Sequence, residues 1–358
     1  MSDKPSVIVG ISGGVDSAVA ALLLQQQGYN VRGVFMKNWS EDDFGGPCPW
    51  QEDQASAQAV ADHLGIPLET WNFEREYRDR VFNAMLDEYR AGRTPNPDIL
   101  CNREIKFKLF FEKARTQSDL IATGHYARTK DGKLLKARDE NKDQSYFLAG
   151  VSSAALTHTV FPLGDLEKFE VRQMAKEAGL PNWDRPDSVG ICFIGEKQMG
   201  EWLGKHLELR PGAITLTDGT VVGTHRGFPL YTIGQRHGFG RDIDQALVTK
   251  TLGAVQSLFV KEKNVSTNTI VLAPANQPED LETKEFLVRD VHWISYACRF
   301  PWKGTAKFRY RQPDVDVTLL LEGDRFRVIC HQPQRAITPG QYAVFYNKDV
   351  CLGCGIIV

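Results

Sequence analysis

The hexapeptide Ser12-Gly13-Gly14-Val15-Asp16-Ser17 follows an apolar run over residues 6–11 and leads into a helix-like run over 18–24. A strand, a tight turn and a helix start bring free backbone N–H groups and the positive end of a helix dipole to one point, where phosphate is the natural guest. A Walker loop would place a lysine before the terminal hydroxyl. Asp16 and Ser17 stand there instead, which points to phosphates held for a different bond cleavage. Two thiols add a second chemistry. Residues 94–102, Thr-Pro-Asn-Pro-Asp-Ile-Leu-Cys-Asn, read as a proline-stiffened loop joining two helical segments. With Cys101 at the start of the second, the helix dipole, Arg103 and Lys106 are expected to lower its pKa. Asp98, three residues earlier, would face the same side as a general acid or base. The competing reading of Cys101 is a small buried hydrophobe. Cys192 lies between Gly190 and Gly195 in an apolar loop that alone reads as core.

The elements that must carry these groups alternate as in a parallel α/β sheet. Strands are expected at 31–36, 68–73 and 120–123, and helices at 51–64, 77–89, 105–114 and 169–178. The strand 120–123 ends at Gly124-His125, and ligands of open α/β sheets bind at the carboxyl ends of strands. Beyond about residue 205 the texture becomes short alternating runs broken by Gly, Asp and Asn, such as 213–216, 269–272 and 316–321, which suggest β domains. Breaks near 205 and 280 divide the chain into 1–204, 205–280 and 281–358.

The bulk properties narrow the field. A chain of 358 residues with 42% hydrophobic and 25% charged residues is globular and long enough for about two or three domains. Its formal net charge of −2 gives no overall attraction to nucleic acid, so RNA binding must come from local basic patches. No apolar run approaches the roughly 18 residues of a membrane span. The first strand begins almost at once, without room for a signal or transit peptide. A cytoplasmic protein is expected. Seven scattered cysteines argue for reduced thiols rather than a disulfide framework.

Ser-Gly-Gly-x-Asp-Ser resembles the pyrophosphate loop of the ATP pyrophosphatases, which transfer AMP to a substrate oxygen. Residues 12–17, 95–102, 122–126, 142–148 and 190–195, continued by Gly234-Gln235-Arg236, 309–312 and 338–341, together resemble the bacterial tRNA-specific 2-thiouridylase family over nearly the whole chain. That resemblance implies a Rossmann-like PP-loop ATP pyrophosphatase domain (1–204), a central tRNA-binding linker domain (205–280) and a C-terminal β-barrel (281–358). It implies ATP-dependent 2-thiolation of the wobble uridine of tRNA, with Cys192 as persulfide carrier, Cys101 as the partner thiol that ends in a disulfide with it, and Asp98 handling the proton. Gly10, Ile11, Ser12, Gly13, Gly14, Val15, Asp16, Ser17, Met36 and Gly124 match the family's ATP contacts, with Mg²⁺ to offset phosphate charge. Asn96, Pro97 and Asp98 would meet the target base, drawn out of its stack. His125, Lys142, Asp143, Gln144, Arg309, Tyr310 and Gln341 would contact the rest of the tRNA. A persulfide donor or sulfur-relay protein is the implied partner, and a monomer is expected.

Several segments have bland readings. Residues 307–312, Lys-Phe-Arg-Tyr-Arg-Gln, read as a strand with alternate residues on one face, either RNA-facing or a charge-protected edge. A lone His125 is most often structural. Cys351 and Cys354 form a C-x-x-C without a second pair at zinc spacing and read as core or surface thiols. Cys48 has no derivable role. No third thiol stands at a spacing that would complete an iron–sulfur site with Cys101 and Cys192. Two other functions share the loop: an amide-forming or lysidine-type ligase, which would not need the cysteines, and a non-catalytic RNA-binding module.

Overall fold

The computed structural model describes residues 4–40, 50–187, 199–253, 257–294 and 299–358. Its first domain is built on a parallel sheet. Ser6–Gly10 (β1), Asn30–Lys37 (β2), Leu68–Asn72 (β3), Leu120–Thr123 (β4) and, after a hairpin of Arg128–Lys130 (β5) and Lys133–Leu135 (β6), Thr159–Val160 (β7) pair in the order β3-β2-β1-β4-β7. Val7, Ile8 and Val9 of β1 are buried, as a strand covered on both faces requires. The helix Val15–Gln26 (α1) is rich in alanine and valine. Its small side chains pack Ala18 and Val19 against Val171 and Ala175 of the helix Lys168–Glu177. Trp50–Leu64 (α2) buries Ala57, Val60 and Ala61, the face its periodicity marks out. Strand order runs outward from β1 to β3 and then resumes on the other side of β1 with β4. The crevice for a ligand therefore opens between the ends of β1 and β4.

A smaller sheet follows, made of Gly212–Leu216 (β8), Val221–His225 (β9), Leu258–Asn264 (β10) and Thr269–Pro274 (β11) in the order β10-β11-β8-β9. The last domain is a closed antiparallel barrel of Glu282–Trp293 (β12), Trp302–Lys307 (β13), Val315–Glu322 (β14), Arg325–Arg335 (β15), Tyr342–Asn347 (β16) and Val350–Ile357 (β17). Neighbours pair in the order β12-β15-β14-β13-β16-β17, and β17 returns to β12. The N-terminal hairpin joins this sheet, because Leu135 and Leu134 of β6 pair with Val350 and Cys351 of β17. The first break expected near 205 falls within the helix Met199–His206, whose Trp202 and Leu203 belong to the core of the first domain. Among the described residues no helix is long and apolar enough to cross a membrane.

Two local expectations are corrected. The helix expected over 105–114 starts eight residues earlier, at Pro97, and runs through a π-helical stretch to Ala114. Proline at the first helical position costs no hydrogen bond there, and the Asn96 side chain caps it by accepting from Ile99 N–H at 3.5 Å. The strand expected over 307–312 stops at Lys307. Arg311 has φ +63°, so Arg309 and Tyr310 stand on a turn and not on alternate faces of a strand.

One apolar cluster unites Ile99, Cys101, Leu134, Tyr146, Leu148 and Trp202 with Tyr342, Val344, Tyr346, Cys351 and Cys354 on the outer face of the barrel. Calorimetry should accordingly show the α/β domain and barrel unfolding in a single transition. Deleting residues 281–358 should lower the melting temperature of the remainder by about 10 °C or more; an unchanged value would mean that the two domains do not share this core.

Candidate functional site

The loop after β1 is held from beneath by its own backbone. Gly13 has φ +83°, and a Cβ there would lie 2.3 Å from the Asp53 carbonyl, so only glycine fits. The Gly13 carbonyl accepts from Ser56 Oγ at 2.8 Å, Asn182 Nδ2 at 2.8 Å and Arg185 Nη1 at 3.1 Å. Ser17 Oγ donates to the Gly14 carbonyl at 3.0 Å and receives Ser12 N–H at 3.1 Å, closing the loop on itself. Gly14 is the N-cap of α1 and supplies no side-chain bond, so the first-turn amides keep their capacity for an anion. Gly124, at the end of β4, presses on the same turn: a Cβ on it would stand 2.6 Å from Ser17 N. A Cβ on Gly10 would meet Met36 Cε at 2.9 Å. The segment Gly10–Ser17, Met36 and Gly124 are thus neighbours, and they fit a nucleotide laid across the switch point.

Asp16 stands at the mouth of this cradle. Its Oδ1 accepts from Tyr126 Oη at 3.0 Å and Lys168 Nζ at 2.7 Å. Lys168 also reaches Asp187 at 2.8 Å, and Asp187 is shared with Lys142 at 2.7 Å and Arg172 at 2.6 Å. Burial works against ionisation of Asp187, but the bonds from Lys142 and Lys168 outweigh it and hold the carboxyl well below the usual range. Burial and the Asp16 carboxylate push the Tyr126 hydroxyl far above its ordinary value, so it serves as a donor.

Asp98 stands in the first turn of the helix beginning at Pro97, and Cys101 follows three residues later, about one turn on. The expected activation of Cys101 is not found. The thiol is buried, at 3% exposure, and burial pushes its pKa up to about 11, with Asp98 adding to the rise and Lys106 only partly opposing it. Desolvation outweighs the helix dipole here. Cys192 and Cys48 lie outside the described residues. Cys330, Cys351 and Cys354 are buried in the barrel and its interface with the first domain.

Of the residues tied by resemblance to RNA, Gln341, Arg309 and Tyr310 lie where the domains meet, while His125, Lys142 and Gln144 make their contacts within the first domain. Gln341 Nε2 donates to the carbonyls of Thr94 at 2.8 Å and Pro95 at 3.1 Å, just ahead of Asn96-Pro97-Asp98. Arg309 Nη2 bonds the Ala336 carbonyl at 2.7 Å and Thr338 Oγ1 at 3.2 Å. Tyr310 packs on Phe147, ring centroids 4.5 Å apart. Gln144 Oε1 receives the Tyr126 N–H at 2.9 Å. The Asp143 carboxylate is turned inward, accepting from Ala137 and Ser145 N–H and Ser145 Oγ. His125 Nδ1 meets Thr123 Oγ1 at 2.7 Å, between the rings of Phe107 and Phe161. Burial, with the Lys106 charge, drives its pKa well below 6.5, and the ring is neutral.

Three family models match in succession: a "tRNA methyl transferase HUP domain" over residues 5–196, a "tRNA methyl transferase PRC-barrel domain" over 200–274 and an "Aminomethyltransferase beta-barrel domain" over 283–357. The tRNA-specific 2-thiouridylase MnmA of Pseudomonas putida (strain W619) is 48% identical over 99% of this chain and 95% of its own length. That of Stutzerimonas stutzeri (strain A1501) is 48% identical with the same coverage, and that of Shigella flexneri serotype 5b 48% identical over 98% of this chain and 96% of its own. This chain belongs to the tRNA-specific 2-thiouridylase family.

In this 2-thiouridylase family member, sequence reasoning missed Lys168, Arg172, Asn182, Arg185 and Asp187. The only available signal was the i, i+4 pair Lys168 and Arg172 on one helix face, since 182–187 carries no spacing that stands out. Two outcomes test the site. Gly124→Ala should weaken ATP binding by about tenfold or more, as measured by calorimetric titration, and lower the melting temperature as the Asp16-Ser17 backbone gives way to the added Cβ; full binding would free Gly124 from the cradle. At pH 8, Cys101 of the free protein should be alkylated at least about 100-fold more slowly than a free thiol, as followed by peptide mass spectrometry. A rate near that of a free thiol would mean an exposed, ionised sulfur.

Proposed function

We propose that the protein is an ATP-dependent tRNA uridine 2-sulfurtransferase acting on the wobble position. The reading is carried by one observation: Gln341 of the barrel bonds the backbone immediately before Asn96-Pro97-Asp98, so the surfaces assigned to RNA and the helix bearing Asp98 and Cys101 form one unit. Full-length identity to curated 2-thiouridylases supports it.

The chemistry balances as follows. The uridine O2 attacks the α-phosphorus of ATP, the Pα–O–Pβ bond breaks, and pyrophosphate leaves. A sulfane sulfur carried on Cys192 then attacks C2. The Cys101 sulfur, giving up its proton, attacks Cys192, so that the S–S bond to the carried sulfur breaks and a Cys101–Cys192 disulfide forms. The C2–O bond breaks, AMP departs with the oxygen, and an external dithiol reduces the disulfide. Asp98 relays the proton. Dividing the substitution in this way replaces one hard step with easier ones. The cradle of Gly10–Ser17, Met36 and Gly124 orients the nucleotide. For Mg²⁺ the fit is limited: Asp16 is engaged by Lys168 and Tyr126, and among the described residues no group of three or more His, Cys, Asp or Glu could hold a metal ion. The ion would ride on the phosphates with its waters.

The buried, protonated Cys101 favours a second reading, an amide-forming ligase in which that sulfur only packs. One assay separates the two. Cys101→Ser and Cys192→Ser should each abolish 2-thiouridine formation from unmodified tRNA, ATP and a persulfide donor, with tRNA-dependent pyrophosphate release retained. Asp98→Asn should slow thiolation by about 10²- to 10⁴-fold. Full product formation by both serine variants would overturn the sulfur-transfer reading.

A further inference from the structure

Asp187 holds an unusual station for a carboxylate. Lys142, from the turn before the first barrel-facing helix, and Lys168 and Arg172, from one face of Lys168–Glu177, converge on it at 2.7, 2.8 and 2.6 Å. Lys168, the most enclosed of them with 15% side-chain exposure, bridges Asp187 to Asp16 in the first turn of α1. Three cations thus surround two carboxylates in front of a helix start that offers uncapped amides. The other charges nearby are spoken for: Arg185 pairs with Asp53, and Arg138 with Glu167 and Glu170 on the outer face of the helix. In a half-buried ion-pair network of this kind the cost of desolvation offsets much of the attraction, so its net contribution to stability is small. Its position at an anion-binding loop gives it another use.

We propose that Lys142, Lys168 and Arg172 form the binding site for the pyrophosphate portion of ATP, and that the Asp187 carboxylate occupies this site as an internal competitor until the nucleotide displaces it. A polyphosphate carries several negative charges where Asp187 carries one, and its oxygens can take all three cations together with the loop amides. Asp187 and the polyphosphate cannot share the cations, since like charges at hydrogen-bond range repel strongly in a partly desolvated site. Release of pyrophosphate lets the carboxylate return. The exchange thereby offsets part of the affinity for the product and assists its departure. The inference rests on the reading of the loop as an ATP site.

Calorimetric titration of the full-length protein with Mg-ATP, and separately with inorganic pyrophosphate, tests it. Wild type that fails to bind ATP would overturn the nucleotide reading itself. Given binding, Asp187→Asn should bind both probes about 5- to 30-fold more tightly, with a gain that shrinks as salt rises from about 50 to 200 mM. Lys168→Met should weaken pyrophosphate by about tenfold or more and reduce the gain from Asp187→Asn in the double variant. Unchanged or weaker binding by Asp187→Asn would overturn the exchange, weaker binding marking Asp187 as a support for the cations or a partner of the metal. An equal gain in the Lys168→Met background would overturn it as well.

Discussion

One strand, β17, joins the chemistry to the rest of the molecule. Its residues from Gly353 onward close the barrel against β12, while Val350 and Cys351 pair with β6 of the first domain along the same edge. The hand-over is made by a bulge. Pairing with β16 slips between Cys351 and Gly353, where Gly353 has φ +149° and a Cβ would stand 2.0 Å from the His292 carbonyl. The slip lets Cys351 and Cys354 both face the first domain while Leu352 enters the barrel core, an arrangement that strict alternation along a strand would forbid. The barrel sheet is therefore extended by a hairpin of the first domain, and its outer wall forms part of the core around Cys101.

The same logic fixes the approach to the helix of Asp98 and Cys101. Thr94 N–H donates to the Pro339 carbonyl at 2.9 Å, Gln341 bonds the next two carbonyls, and Lys263 of the central sheet reaches Thr94 Oγ1 at 3.5 Å and the Tyr231 carbonyl at 2.9 Å. Glu88 clasps Arg93 and Arg289. Gly340 has to be glycine there, because a Cβ would meet the Thr94 carbonyl at 2.9 Å. All three domains thus grip Arg93, Thr94 and Pro95, and the helix begins two residues beyond.

What was legible in the sequence was what short range dictates. The loop of 12–17 and the apolar run before it encode their own geometry, and the three strands and four helices expected after them, one helix start aside, follow from period and composition. The i, i+3 spacing of Asp98 and Cys101 survived even though the helix start was misplaced, since capping by Asn96 and Pro97 keeps the same register. Long-range effects were not legible. Nothing in residues 128–135 announces that they extend a barrel more than two hundred residues later. The cations around Asp187 come from two separate stretches, Lys142 and the helix of Lys168 and Arg172, and Asp187 from a third, so their proximity in space left no pattern in the chain. Asp143, given a tRNA contact by the resemblance, is turned inward by tertiary packing onto Ala137 and Ser145.

The sign of the Cys101 shift shows how far tertiary structure can reverse a local argument. Of the charges expected to favour the thiolate, Lys106 does so, while Arg103 is turned to Glu104. Burial among Ile99, Ile105, Tyr146 and Cys354 removes the water that a thiolate requires, and that loss is the larger effect. A thiol kept protonated is protected from oxidation and stray alkylation, which suits a sulfur needed only late in a reaction sequence. Its ionisation then has to be earned by a change at the site, and the group beside it that can take a proton is Asp98. A carboxylate one helical turn from a buried thiol raises the cost of a second negative charge beside it, so that Asp98 adds to what burial imposes and the pair on one face keeps Cys101 inert in the free protein.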